Sequence, residues 1–308
     1  MERSLRWVCF IVIITACVPR IADAQEPLSR QWEKLIDASK TEEARRLCTP
    51  WLNSPELVKQ AEAHKCLANV VLRGKDNSIV RIEGNDVGGG EMHGGFKDEA
   101  IDEALKHLNE AIRLAPQDLS IHQGRLHLLE ISMRHEEMAK ALDESCTIYQ
   151  GADALQAWLA YTAELFEAGH HRSSILLLNV LDKHFPNNHE VIGNLGAGYS
   201  ALKEDDKAIE YLRKAVALAP ADPIDTWNLG RLYDYTGKIQ LADQWYQKAL
   251  SLDTDAAQRR GMACLYAKFV ETKLHDAKRA CELQKASCES SEQTACKQAK
   301  PVADNNHF

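Results

Sequence analysis

The chain has 308 residues, 45% of them hydrophobic and 27% charged, so it is long enough to bury a sizeable core as two domains or as one elongated array. Its net charge of −8 argues against a nucleic-acid-binding protein, which normally carries a basic surface. A mean hydropathy of −0.37 excludes a protein with many membrane spans.

The first 24 residues have the pattern of a secretory signal peptide. Arg3 and Arg6 give a positively charged start, and residues 7–18 form an apolar run that is too short to cross a membrane. Residues 22–24 supply the Ala-x-Ala pattern that precedes a cleavage site. We therefore expect export, most simply to a bacterial periplasm, and a mature chain that begins at Gln25.

A second interpretation of the same segment is a bacterial lipobox. Residues 14–17 read Ile-Thr-Ala-Cys, a pattern that would lead to acylation of Cys17. The protein would then be tethered to a membrane as a lipoprotein, and this is the only membrane association that the sequence predicts.

The apolar spacing predicts helices along most of the remaining chain. Residues 25–58 have the pattern of two helices, and Pro50 would interrupt the second one. Residues 61–118 contain two more helices, but an insertion of about residues 75–96 separates them. Residues 121–154 are helical in pattern without a clear register.

The insertion is rich in glycine, with six glycines between positions 84 and 95. A mobile loop is therefore the simplest expectation. Asp86, Glu91 and His93 leave open that the insertion binds a cation or a ligand, carries out catalysis, or becomes ordered on a partner.

An internal repeat of 34 residues organises the part of the chain that follows. Residues 194–196, Asn-Leu-Gly, recur as residues 228–230. Further pairs with the same spacing are Tyr199 and Tyr233, Ala208 and Ala242, Ala215 and Ala249, and Pro186 and Pro220. Small residues at such fixed positions allow two helices to approach closely, and a proline ends the second helix.

This pattern resembles the tetratricopeptide repeat family, most clearly in residues 155–188, 189–222 and 223–256. The resemblance implies an all-α solenoid of stacked antiparallel helix pairs that covers residues 25–256. Such arrays often end in a unit with a polar outer face, and residues 257–288 fit this description as capping helices. Residues 289–308 form a polar tail that contains a cysteine.

The resemblance also implies a concave groove, lined by the first helix of each unit, that binds a protein or peptide. The positions that contact partners in the family correspond here to Gln156, Leu159, Phe166, Asn194, Trp227, Asn228, Arg231, Asp234 and Tyr235. Trp, Tyr and Arg are common anchors at protein interfaces. Alternatively, Trp227 packs in the core, as the large residue at the preceding position of the repeat usually does.

No complete catalytic or cofactor motif is present in the sequence. His135 begins a segment that starts like a zinc-protease helix, but the second histidine is missing. His170, His171, His184 and His189 fall in predicted turns, so we interpret them as polar turn residues and not as a metal site. We therefore expect a protein that is not an enzyme and needs no cofactor or metal.

Seven cysteines remain after removal of the leader, and an oxidising compartment would permit disulfides. Cys48 and Cys66 lie on successive predicted helices and are candidates for a disulfide. Cys264, Cys281, Cys288 and Cys296 are candidates for two more, with the pairing left open. Cys146 fits a small buried hydrophobic residue.

The sequence thus predicts an exported, non-catalytic scaffold or adaptor that binds a protein or peptide and does not bind nucleic acid. Two alternatives remain. One is a lipid-anchored assembly factor of the cell envelope, and the other is a ligand-binding or catalytic role for the glycine-rich insertion.

Overall fold

The computed structural model describes residues 27–74, 78–84, 90–253, 255–288 and 294–298. The predicted signal peptide, Cys17 and Asp86 lie outside the described residues. Among the described residues, no helix combines the length and the apolar composition that are needed to cross a membrane.

Antiparallel helix pairs follow one another along the chain and form an all-α solenoid, as predicted from the repeat. The helices of the N-terminal half are α1 (Leu28–Asp37), α2 (Thr41–Cys48), α3 (Leu57–Leu72), α4 (Asp98–Leu114), α5 (Leu119–Ile131), α6 (His135–Ile148) and α7 (Ala152–Glu167). Those of the C-terminal half are α8 (His171–His184), α9 (His189–Ala201), α10 (Asp205–Leu218), α11 (Pro223–Tyr235), α12 (Ile239–Leu252), α13 (Ala256–Lys273), α14 (Ala277–Ser287) and α15 (Ala295–Gln298). The residues around Pro50 form a short 3₁₀ helix, Thr49–Asn53, after the end of α2.

The turn between the two helices of a pair has a recurring geometry. A residue in the left-handed region ends the first helix, and these residues are Ser39, Met133, Gly169, Lys203, Gly237 and His275. In the pair formed by α9 and α10, the N–H of Glu204 then donates to the Tyr199 carbonyl at 2.9 Å. This bond satisfies a carbonyl at the end of α9 and reverses the chain within a few residues.

Small residues allow the helices of each pair to pack closely. A Cβ atom added at Gly196 of α9 would lie 2.7 Å from a side-chain carbon of Leu212 in α10. Gly230 of α11 is in the same situation against Tyr246 of α12, at 2.9 Å. The repeated Leu-Gly pair of the sequence is therefore a packing requirement of the two clearest units.

The core is divided along the solenoid into three hydrophobic clusters. The first contains Trp32 and Ile36 and occupies the N-terminal end. The second runs from α3 to α9, and the third runs from α10 to the C-terminal end. Tyr199 packs against both of the larger clusters and so joins them.

The glycine-rich insertion contains a β-hairpin between α3 and α4, where we expected a mobile loop. Strands β1 (Ser78–Gly84) and β2 (Gly90–Phe96) pair antiparallel, with Ser78 opposite Phe96 and Gly84 opposite Gly90. Phe96 packs against the second core cluster and anchors the base of the hairpin to the array. The expectation of a loop was wrong for these residues because backbone pairing compensates for the low strand preference of glycine.

Candidate functional site

The first helices α7, α9 and α11 carry the residues predicted to line a groove. Phe166 and Asn228 are half-buried, whereas Asn194 and Arg231 are exposed. Tyr235 is exposed over 61% of its surface although it is a large aromatic residue. These side chains come from the first helices of three successive helix pairs and face a common surface.

A pocket of about 420 Å³ occupies the centre of this surface. Four of the predicted groove residues line it, namely Phe166, Asn228, Arg231 and Tyr235. The pocket combines two aromatic rings, an amide and a guanidinium group. It is therefore suited to hold an apolar group and to hydrogen-bond to a polar one.

A second pocket of about 140 Å³ lies next to the first one. Phe166 and Ala197 line both pockets, and Asn194 lines the second. The two pockets therefore form one depression across α7, α9 and α11. We call this depression the concave groove.

The groove changes its charge along its length. The larger pocket contains two cationic side chains, Lys203 and Arg231, and its described lining residues include no carboxylate. The smaller pocket contains Glu167. Lys203 also lines an adjoining pocket that contains Glu204, Asp205, Asp206 and Lys207, so acidic side chains stand next to this cationic pair.

Two of the predicted groove residues are buried and belong to the core. Trp227 is 7% exposed and packs against Tyr246, with 4.5 Å between the ring centroids. Leu159 is also buried and is part of the second core cluster. Their side chains point between helices, so the alternative interpretation of Trp227 as a core residue describes the structure.

Two other predicted residues lie outside both pockets. Gln156 is exposed and its amide donates to the Glu190 carboxylate at 2.7 Å, which links α7 to α9. Asp234 is half-buried and lines neither pocket.

The structure adds residues that the sequence reasoning missed. Ser200, Ala201 and Lys203 line the larger pocket at the end of α9. Ser200 and Ala201 precede Asp234 and Tyr235 by one repeat of 34 residues. The 34-residue spacing could therefore have predicted Ser200 and Ala201 as groove residues. Lys203 lies in the turn after α9, and the repeat gives no such indication for it.

Six cysteines form three disulfides in the structure. Cys48 is bonded to Cys66, and this disulfide joins α2 to α3. At the other end of the array, Cys264 is bonded to Cys288 and Cys281 to Cys296. Cys146 is buried and free, and its burial raises the pKa of its thiol to about 12.

The four histidines of the predicted turns have separate surroundings. The Nδ1 atom of His170 lies near Glu130, and Nε2 of His184 lies 2.8 Å from Asp143. Nδ1 of His171 is buried without a hydrogen-bond partner among the described residues. The four side chains therefore do not form a single cluster.

His189 belongs to a group of donors with Asp222 and Asp225, whose ligand atoms all lie within 4.8 Å of one another. Asp222 accepts the backbone N–H of Asp225 at 2.7 Å and so caps α11. Nδ1 of His189 lies 2.9 Å from Oδ2 of Asp225. Burial raises the pKa of the Asp225 carboxyl, and the hydrogen bond from His189 opposes this shift. Capping and the imidazole contact account for this group without an ion.

A family model for the tetratricopeptide repeat matches residues 189–222 and 227–255. No curated protein matches the chain. The match shows tetratricopeptide repeats in this part of the chain, which corresponds to the helices α9 to α12 of the solenoid.

Several solved structures are similar to the chain. PilF of Pseudomonas aeruginosa is 18% identical, with 66% of this chain and 91% of that chain covered and a TM-score of 0.40. MamA (residues 41 to the end) of Desulfovibrio magneticus RS-1 is 20% identical, with 50% and 85% covered and a TM-score of 0.34. The C-terminal part of a repeat-containing protein of Cytophaga hutchinsonii is 12% identical, with 88% and 99% covered and a TM-score of 0.49.

Proposed function

We propose that the protein is an exported, non-catalytic scaffold that binds an extended segment of a partner protein in the concave groove. The single observation that carries this proposal is the depression across α7, α9 and α11, where exposed Tyr235 and Arg231 stand beside half-buried Phe166 and Asn228. Aromatic and arginine side chains of this kind dominate the binding energy of many protein interfaces.

The groove chemistry favours a particular type of segment. An apolar side chain of the partner fits against Phe166 and Tyr235, and a nearby carboxylate fits Lys203 and Arg231. The Asn228 amide offers both a donor and an acceptor to a peptide backbone. We therefore expect the bound segment to combine an acidic group with an apolar residue.

A random-peptide display selection on the purified protein tests this proposal. Peptides that combine an acidic and an apolar residue should be enriched, and their affinities can be measured by fluorescence polarisation. Arg231→Ala and Tyr235→Ala should each weaken binding at least about fivefold, because truncation of an interface anchor costs more than about 1 kcal/mol.

Arg113→Ala is a matched control, since Arg113 is exposed on α4 and pairs only locally with Glu110 in the contacts described here. This variant should bind the selected peptides like the unmodified protein. Equal affinity of all three variants would refute the assignment of the groove as the binding site.

Export is supported by the leader pattern and by the paired cysteines, which persist in oxidising compartments. Mass spectrometry of the protein from its native host tests this part. A mature N-terminus at Gln25, free or cyclised, supports export without an anchor, whereas an acylated Cys17 supports the lipid-anchored alternative. A retained Met1 would contradict both.

A further inference from the structure

The β-hairpin between α3 and α4 presents open strand edges. Among the residues that the structure describes, β1 and β2 form a sheet of these two strands only, so each strand has one edge without a neighbouring strand. A hairpin of two strands is marginally stable in water by itself, and further strands stabilise it. An open edge is also a template for a strand of another chain. The hairpin is therefore a candidate surface for strand pairing.

The edge of β1 is better suited to such pairing than the edge of β2. β1 contains Ile79, Val80 and Ile82, and β-branched residues are enriched in strands. It contains neither the proline nor the lysine with which many edge strands block pairing. Three of the seven residues of β2 are glycines, which are depleted in strands. A further strand is thus expected next to β1.

The register of the hairpin leaves an acidic pair on one of its faces. Successive residues of a strand belong to opposite faces, so Arg81 and Glu83 share a face with the residues opposite them, His93 and Glu91. Glu83 lies directly opposite Glu91. Like charges in this arrangement destabilise a strand pair. A cationic residue on the other side of Glu83, at the open edge of β1, would compensate this pair.

A second copy of β1 supplies that cationic residue. Two copies of β1 can run antiparallel about a two-fold axis that passes beside Ile82, so that this residue lies opposite its own equivalent. Arg81 of each copy is then opposite Glu83 of the other, and both pairs have opposite charges. An axis beside Arg81 would place two arginines opposite each other, and an axis beside Val80 would place Arg81 opposite Ile79. Only the register about Ile82 pairs the charges.

We propose that two copies of this chain associate through β1, with Ile82 beside the two-fold axis and Arg81 of each copy opposite Glu83 of the other. The product is a continuous four-stranded sheet with the order β2, β1, β1, β2. It has enough strands for a stable sheet, which each hairpin alone does not have. The pairing involves the insertion and not the concave groove, so it does not depend on the function proposed for the groove.

Sedimentation equilibrium of the purified protein, with its disulfides intact, tests this proposal. A single strand pair is a small interface, so we expect a reversible dimer with a Kd of about 10–100 µM. Arg81→Glu and Glu83→Arg each replace both opposite-charge pairs by like-charge pairs and should weaken the dimer at least about fivefold. An equimolar mixture of the two variants should form a heterodimer about as tightly as the unmodified protein, because both opposite-charge pairs are present again.

Lys106→Glu is the matched control for these charge reversals. Lys106 is exposed on α4 and lies outside the hairpin. This variant changes the net charge by the same amount as Arg81→Glu, so it should dimerise like the unmodified protein. Circular dichroism verifies that each variant keeps its helices.

Ile82→Cys tests the register without a change of charge. Residues opposite each other in an antiparallel pair have Cβ atoms about 4.5–5.5 Å apart, close to the span of a disulfide. Oxidised glutathione should therefore link this variant into a covalent dimer, which a non-reducing gel detects. In Val80→Cys the two new residues lie about 13 Å apart along the strands, and this variant should stay unlinked. Cys146 contributes little background, since it is buried.

Four results would overturn the proposal. The first two are a protein that stays monomeric up to about 500 µM and a dimer that both charge reversals leave unchanged. The others are the absence of a heterodimer in the mixture and equal linking of the two cysteine variants. If a charge-reversal variant does not fold, the two cysteine variants decide the outcome.

Discussion

At the scale of single residues, the contact between α9 and α11 depends on a glycine, which has no side chain. Gly193 lies in α9, and a Cβ atom at this position would be 2.1 Å from Oδ1 of Asp225. His189, one turn earlier on the same helix, contacts the other oxygen of that carboxylate. The first turn of α9 therefore leaves space for the buried Asp225 and supplies its imidazole partner.

Gly193→Ala should destabilise the protein by about 1–3 kcal/mol, because the added methyl group collides with a carboxylate that has little room to move. Urea unfolding measures this change. Gly124→Ala is the matched control, since Gly124 is an exposed glycine within α5 and a Cβ there meets nothing within 4 Å. The control should gain about 0.5–1 kcal/mol, and an equal gain in Gly193→Ala would contradict the predicted collision.

His122 of α5 predicts a dependence of stability on pH. Its ring is buried, with Nε2–H donating to the Pro116 carbonyl at 3.0 Å and Nδ1 lying 2.7 Å from the Ser145 hydroxyl. Burial lowers the pKa of His122 in the folded state. The unfolded chain therefore binds more protons as the pH falls below about 6.5, and this histidine contributes a loss of stability toward acid pH.

Urea midpoints at pH 7.5 and 5.5 test the role of His122. The midpoint of His122→Gln should fall less between the two pH values than that of the unmodified protein. His127→Gln, an exposed position on the same helix, should show the unmodified pH dependence. The same fall for both variants would exclude His122 as a source of the effect.

At the scale of elements, the disulfides lie at the two ends of the array, where a helix pair has a neighbour on one side only. Removing the Cys48–Cys66 disulfide with Cys48→Ala/Cys66→Ala should cost about 3 kcal/mol, the chain-entropy value for a loop of this length. The loss should appear as faster hydrogen exchange in residues 28–48, because the stability of a repeat array is partly local.

A reducing agent should accelerate exchange in the same residues of the unmodified protein and have no further effect there in the double variant. Cys146→Ala removes a thiol that is not in a disulfide, so this variant should keep the response to reduction in residues 28–48. Exchange that is insensitive to reduction would show that this disulfide does not stabilise the N-terminal helices.

The helices of residues 189–256 could be predicted well, because the repeat fixes which residues pack between α9, α10, α11 and α12. The hairpin could not, because its glycines give little strand preference and its pairing is made by the backbone. For Trp227, the sequence left both the groove and the core open. Its position in the repeat suggested the groove, whereas the packing against Tyr246 places it in the core.

The surroundings of buried Glu130 show a different limit of sequence reasoning. Its carboxylate contacts the imidazoles of His135, which follows it after 5 positions, and of His170, which follows after 40. Neither interval has the periodicity of a helix face. Only the stacking of two successive helix pairs brings the three side chains together, so no local pattern in the sequence indicates the contact.

At the scale of the whole molecule, Tyr199 connects the two large core clusters. It packs against both and stacks on Tyr211, with 5.3 Å between ring centroids and 14° between ring planes. The close packing of Gly196 in α9 against Leu212 in α10 spans the same boundary, so Tyr199 is one of several side chains on which the cooperativity of unfolding should depend.

Tyr199→Ala should make unfolding less cooperative, because it weakens one of the contacts that couple the two large clusters. Scanning calorimetry measures this as a ratio of van't Hoff to calorimetric enthalpy below that of the unmodified protein. Tyr235→Ala removes an exposed tyrosine from the groove and should leave the ratio unchanged. An unchanged ratio in Tyr199→Ala would show that other contacts couple the two clusters.

The hairpin between α3 and α4 leaves the solenoid and returns to it at nearly the same place, since Ser78 pairs with Phe96 at its base. Residues paired across an antiparallel ladder lie only about 5 Å apart. The helices α3 and α4 nevertheless pack against each other like the other pairs. This position is thus a natural graft point: a foreign domain whose termini lie close together could replace the part of the hairpin beyond Ser78 and Phe96, and the array would display it with the core contact of Phe96 retained.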